Sequence, residues 1–175
     1  MAQITINVIV GNPRPQSRTS KIAGEVGRQL AALVEGEGAS VSMQIIEVAE
    51  LGSYLFEWKN AAVQEAIAQV SHANILVVAS PTYKATYTGL LKCFLDLFPA
   101  GGLDGTVAIP VMVGAAPDHS LAVEIFLRPL LIELGASCPT KGLYVLDSEI
   151  ERSHDVVEKW IRQSQQSFKQ AVRLV

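Results

Sequence analysis

Two stretches constrain this chain most: Asn74-Ile75-Leu76-Val77-Val78-Ala79 and the near-continuous apolar run over residues 106–114. A strand with one wet face alternates between apolar and polar residues. A strand that is apolar on both faces has to be covered on both, which marks a central strand of a parallel sheet. Around these two runs the periodicity switches repeatedly between strand-like and helix-like. Residues 3–10 read as a first strand. A helix is expected over 18–35, where Ile22, Val26, Leu30 and Leu33 fall at helical spacing, and Gly36 and Gly38 end it. Residues 40–48 alternate as a half-buried strand, and 49–59 is irregular and carries Tyr54, Phe56 and Trp58. Further helices are expected over 60–72, 86–98, 119–134 and 152–173, with a last strand over 136–146.

Strand and helix therefore alternate five times. That order implies an α/β fold with a parallel sheet, helices on both faces and right-handed crossovers. Five strands fit the flavodoxin-like doubly wound sheet with strand order 2-1-3-4-5, whose ligands sit beyond the carboxyl ends of the strands where the order reverses. The loops expected there are 11–17, 80–86 and 114–119. A chain of 175 residues reads as one domain, residues 1–175. Its 49% hydrophobic and 18% charged residues favour a packed core over disorder. The net charge of −3 argues against broad nucleic-acid affinity. No apolar run reaches the ~18 residues of a membrane span, and the amino terminus enters strand pattern without a basic signal-peptide region. Cys93 and Cys138 are far apart in apolar settings and read as buried free thiols, in keeping with a cytoplasmic protein. His72, His119 and His154 lack metal-ligand spacing, so no metal is expected.

The first loop, Gly11-Asn12-Pro13-Arg14-Pro15-Gln16-Ser17-Arg18-Thr19-Ser20, joins the first strand to the first helix. Backbone N–H groups at a helix N-terminus attract an anion. Ser17, Thr19 and Ser20 add neutral donors and Arg14 a charged, forked one. A Walker A loop would need Gly at position 16, which is Gln; a dinucleotide loop would need Gly at 13 and 16, which are Pro and Gln. A hydroxyl-rich loop suits a terminal phosphomonoester such as that of FMN. The same residues also fit an ordinary loop with Ser17 as helix N-cap, and the loop by itself leaves both readings open.

The second loop reads Ser80-Pro81-Thr82-Tyr83-Lys84-Ala85-Thr86. It offers backbone donors, an aromatic face on Tyr83 and a cation on Lys84, the groups that meet a flavin ring. A Tyr packed at a strand end beside a solvated Lys is the plainer alternative. The third loop, Gly114-Ala115-Ala116-Pro117-Asp118-His119, is built of small residues that let a flat ring approach the backbone. Asp118 and His119 there also read as plain N-caps of the following helix.

Taken together, Gly11–Ser20, Pro81-Thr82-Tyr83-Lys84-Ala85-Thr86-Tyr87-Thr88-Gly89-Leu90-Leu91-Lys92, and Leu121-Ala122-Val123 with Leu127-Arg128-Pro129-Leu130 resemble the NADPH-dependent FMN reductase family. The likeness is greatest to its sulfur-starvation members, which feed reduced flavin to monooxygenases, and it covers roughly residues 5–147. The resemblance implies an NAD(P)H-dependent FMN reductase. Arg14, Ser17 and Thr19, with Ser20 as a further donor, would hold the phosphate. Pro81, Thr82, Tyr83 and Lys84 would line the isoalloxazine, and Gly114 and Ala115 would meet its other edge. NADPH or NADH would be the co-substrate, with hydride passing to flavin N5 and no obligate catalytic side chain. It also implies a homodimer or homotetramer, in which Tyr54, Phe56 and Trp58 cover a neighbour's flavin, and a flavin-dependent monooxygenase as the receiver.

The chain departs from the family pattern in places. Asn12 stands where Ser is usual, and Gly114-Ala115 where Gly-Gly is frequent. Some sulfur-starvation members insert an aromatic residue into helix four and form a π-helix that weakens flavin retention; the matching position is the aliphatic Ile125. Pro129 inside that helix costs about 3 kcal/mol unless a kink or a bulge frees the local backbone; a π-bulge near Ile125 is one solution. Two alternatives remain. One is an FMN-retaining reductase of quinones, azo dyes or metal oxyanions. The other is a flavodoxin-type electron carrier, against which the modest charge and Arg14 both argue.

Overall fold

The computed structural model describes residues 3–172. Five parallel strands, β1 (Gln3–Val10), β2 (Ser40–Glu47), β3 (Ile75–Pro81), β4 (Val107–Gly114) and β5 (Leu143–Leu146), form one sheet in the order β2-β1-β3-β4-β5. This is the expected flavodoxin-like 2-1-3-4-5 arrangement. The register pairs Val10 with Ala79 and Pro81 with Val113, which brings the carboxyl ends of β1, β3 and β4 side by side.

The pleat divides the core in two. Ile6, Val8, Val10, Ile75, Val77, Ala79, Ile109 and Val111 face helices α1 (Arg18–Gly36) and α6 (Ser153–Val172). Ile9, Leu76, Val78, Ala108 and Met112 face α3 (Ala61–Ser71), α4 (Gly89–Leu95) and α5 (Arg128–Glu133). Every residue of β3 and β4 is buried, which is why those two strands read as continuous apolar runs rather than alternating ones. On α1, Ile22, Val26 and Leu30 are fully buried, and Val34 takes the place expected of Leu33, which packs only partly. The apolar stripe of α4 is core: Leu91, Phe94 and Leu95 are fully buried, and Phe94 meets Phe98 edge-to-face with centroids 5.4 Å apart.

Four elements differ from the sequence reading. The 49–59 segment contains a short helix, α2 (Val48–Leu51), and a 3₁₀ turn (Gly52–Phe56). Helix α4 starts at Gly89 rather than 86 because Thr86 closes a tight turn with Tyr83 and Thr88 is the N-cap. The fifth strand is confined to Leu143–Leu146; the preceding residues contribute a single bridge, Val107 to Ser137. The expected helix over 119–134 is broken into a 3₁₀ turn (Pro117–His119), a π-helical turn (Val123–Leu127) and α5. Asp118 and His119 fall within the 3₁₀ turn, and neither caps the following segment with its side chain.

Of the two ways of relieving Pro129, a kink or a bulge, the structure shows a π turn that includes Ile125. Ile125 N still bonds Leu121 O at 2.9 Å, but Arg128 N reaches back five residues to Val123 O. The wider turn comes directly before Pro129, which stands in the first turn of α5, where a missing N–H costs little. Among the described residues, no helix is long and apolar enough to cross a membrane. Both cysteines are free and half-buried rather than fully buried, and burial pushes the Cys138 thiol up to about 11.

Candidate functional site

The carboxyl ends of β1, β3 and β4 open into a cleft of about 620 Å³ lined by Asn12, Arg14, Ser17, Thr19, Pro81, Thr82, Tyr83, Gly114, Ala115 and Asp147, among others.

The β1 loop is shaped by its own side chains. Asn12 is buried; its carbonyl oxygen accepts the Arg14 N–H at 2.9 Å and its amide donates to Thr19 Oγ1 at 3.1 Å. The first contact is an Asx turn, in which a side chain replaces a backbone partner. Ser17 is the N-cap of α1: its Oγ accepts from Ser20 N at 3.2 Å. As acceptors in these contacts, the Ser17 and Thr19 hydroxyls keep their own protons available to donate. Gln16 adopts φ 52°, a left-handed conformation that non-glycine residues take at a cost, and its N–H donates to Glu47 Oε1 at 3.2 Å. Arg18 pairs with Asp147 at 3.5 Å across the cleft mouth, largely in solvent, a contact worth little in stability.

Gly11 has a structural reason. A Cβ there would lie 2.5 Å from Leu91 Cβ, so α4 packs directly onto the loop's first residue. Thr88 joins the β1 and β3 loops: its Oγ1 donates to Gly11 O at 2.5 Å and accepts from Leu91 N at 3.1 Å. Its own N–H donates to the buried Ser80 hydroxyl at 3.0 Å.

The β3 loop is held by backbone. Tyr83 and Thr86 exchange N–H···O bonds of 2.9 and 3.2 Å around Lys84 (φ 50°) and Ala85 (φ 68°). This is a type I′ turn, usually occupied by Asn and Gly. Tyr83 is left half exposed at the cleft. Thr82 N donates to Val113 O at 2.7 Å, while Thr82 Oγ1 is buried without a hydrogen-bond partner. Such an orphan is uncommon in native proteins. On the far wall, a Cβ on Gly114 would fall 1.9 Å from the Tyr144 hydroxyl, which donates to Ala116 O at 2.7 Å.

Of the ten residues expected from sequence, Arg14, Ser17, Thr19, Pro81, Thr82, Tyr83, Gly114 and Ala115 line this one cleft. Ser20 and Lys84 do not. The Ser20 hydroxyl is turned onto Glu47 Oε1 at 2.5 Å, and Lys84 sits in the turn behind Tyr83. Sequence reasoning missed Thr88 and Asp147. Thr88 had a signal, a hydroxyl residue two positions before the apolar run Leu90-Leu91. Asp147 had none, because only the β5 register brings it to the cleft.

The donor chemistry suits a phosphomonoester beside a flat ring. Two hydroxyl residues and an arginine line the cleft at a helix N-terminus, next to walls of backbone, small residues and one exposed aromatic ring. Comparison with known proteins agrees. Residues 4–151 match the family model described as NADPH-dependent FMN reductase. The chain is 33% identical over 146 residues to an FMN reductase (NADPH) of Escherichia coli K12, covering 83% of this chain and 75% of that protein. It is 31% identical over 159 residues to the NADH-dependent FMN reductase SfnF of Pseudomonas putida, covering 86% and 82%. Among solved structures, the apo form of the NADH:FMN oxidoreductase EMOB superposes with a TM-score of 0.75 at 29% identity, over 92% of this chain and 90% of that one. The chain belongs to the NADPH-dependent FMN reductase family.

Proposed function

We propose that the cleft binds FMN and a nicotinamide nucleotide and that the protein reduces the flavin. The observation that carries this is that Arg14, Ser17 and Thr19 line one cleft at the N-terminus of α1. There the Arg14 guanidinium and the two hydroxyl protons would hold the phosphate. The exposed Tyr83 ring, the Thr82 hydroxyl and the 114–115 backbone would position the ring system, and Thr82 Oγ1 would gain the partner it lacks. FMN supplies the hydride-accepting chemistry when bound. The protein's share is placement: it fixes ring and nicotinamide at contact distance and excludes water from one face. No side chain is required to move a proton.

Resemblance to the sulfur-starvation members supports delivery of reduced flavin to a monooxygenase in the cytoplasm. Association of two or more copies is supported by large apolar side chains left in solvent. Phe56 is 79% and Trp58 91% exposed, and Leu121, Ile125 and Ile132 are each more than half exposed along the broken helix. Light scattering would read the assembly.

Anaerobic mixing of protein and FMN with NADPH, and separately with NADH, tests the reaction. Bleaching of the oxidised-flavin band is the expected result. Flavin that binds but stays oxidised with both nucleotides would point instead to an electron carrier.

A further inference from the structure

Beneath the phosphate loop lies a carboxylate with no cationic partner. Glu47 ends β2 and is half-buried. Its Oε1 accepts from Gln16 N at 3.2 Å and from Ser20 Oγ at 2.5 Å. Its Oε2 is buried and has no hydrogen-bond partner. Among the described residues, no ion pair reaches it: Arg18 is paired with Asp147, and Lys21 with Glu151.

We infer that Glu47 sets how tightly the loop holds the flavin phosphate, acting as a tether and as a counterweight at once. The inference rests on the reading of the loop as the FMN phosphate site. As a tether, Glu47 draws in the N–H of Gln16, a residue held at φ 52°, and so fixes the turn from which Ser17 and Thr19 present their hydroxyls. As a counterweight, it occupies two donors that a phosphate would otherwise recruit, Gln16 N–H and Ser20 Oγ–H. It also keeps an uncompensated negative charge at the base of a dianion site.

Charge and tether separate in two variants. Glu47→Gln is isosteric and keeps an acceptor oxygen for Gln16 and Ser20 while removing the charge. Glu47→Asp keeps the charge and shortens the reach. Dissociation constants for FMN and for riboflavin, which lacks the phosphate, are read by quenching of flavin fluorescence, with melting temperatures of the flavin-free proteins alongside. Glu47→Gln is expected to bind FMN about fivefold to tenfold more tightly than wild type, the size of one screened charge interaction. Its riboflavin affinity stays unchanged, and its gain shrinks as salt rises. Glu47→Asp is expected to melt lower and to show no gain for FMN. The inference is overturned if Glu47→Gln binds FMN no more tightly than wild type, or if Glu47→Asp gains as much as Glu47→Gln. Wild type that binds riboflavin as well as FMN would overturn the phosphate-site reading itself.

Discussion

The loop after β1 and the segment after β4 both border the cleft, yet they are built in opposite ways. The first carries a set of contacts within a few residues, Asn12 to Arg14, Asn12 to Thr19 and Ser17 to Ser20, beside its longer-range bonds to Glu47 and Thr88. The second is held from far along the chain. Arg128 Nη1 donates to Cys138 O at 2.6 Å, Nη2 donates to Thr140 O, and Nε meets Glu124 at 2.5 Å. Glu124 Oε1 in turn accepts from Gly142 N at 2.6 Å. One guanidinium and one carboxylate therefore bind the π turn to the irregular approach to β5. Local bonding gives a loop that spells itself; distant bonding gives a helix whose irregularity depends on residues that have no helical pattern of their own.

The largest expected effect falls on the closest of the first loop's long-range contacts, where Gly11 meets Leu91. Gly11→Ala forces a Cβ into Leu91 and should destabilise the fold by about 3 kcal/mol, read as a lower urea midpoint. Arg128→Met comes next. It strands the Glu124 carboxylate and two backbone carbonyls, at a cost of about 2 kcal/mol once partial exposure of the pair is allowed for. Hydrogen exchange should speed up over 138–142 while the β1 loop is unaffected; exchange that rises equally in both regions would erase the distinction.

The same pair has a pH signature. The hydrogen bond from Arg128 leads, against burial, in holding the Glu124 carboxyl below its usual 4.5. A depressed folded value means that the contribution is present above about 4.5 and is lost as pH falls through the folded value. Arg128→Met should remove that part of the acid dependence.

Asn12→Ala should cost about 1 kcal/mol of stability and weaken FMN several-fold, because the Asx turn and the Thr19 contact go together. The smallest effect lies outside both regions, on the α1–α6 face. At Glu25, burial pushes the carboxyl up, but hydrogen bonds from Gln29, Arg28 and His154 outweigh it and hold it at about 2. The difference in stability between wild type and Glu25→Gln should therefore be constant above about pH 4.5 and close as pH falls toward 2; a difference that is flat across that range would show the cluster to be inert.

This contrast explains what could be read in the sequence. Strand order and the central strands were legible because burial on both faces leaves a continuous apolar run, as in Ile75–Ala79. The end of the β1 loop was legible because Ser17 caps the helix it precedes. A break in the helix was legible through one local conflict, a proline inside helical periodicity, which left a kink and a π turn equally open. The orientation of Ser20 was hidden, since Glu47 captures it from 27 residues away. The fifth strand was read too long: Pro139 and Gly142 interrupt 136–146 before the four residues that pair, and the peptide groups there are taken up by Arg128 and Glu124 instead.

The central claim is that flavin recognition resides in the β1 loop. Its most direct test compares nicotinamide oxidation with FMN and with riboflavin as the flavin, in wild type and in Arg14→Ala, a substitution at an exposed side chain. The account predicts that wild type strongly favours FMN and that Arg14→Ala loses about tenfold of that preference, with riboflavin turnover unchanged. Equal use of the two flavins by wild type, or a preference that survives Arg14→Ala intact, would contradict it.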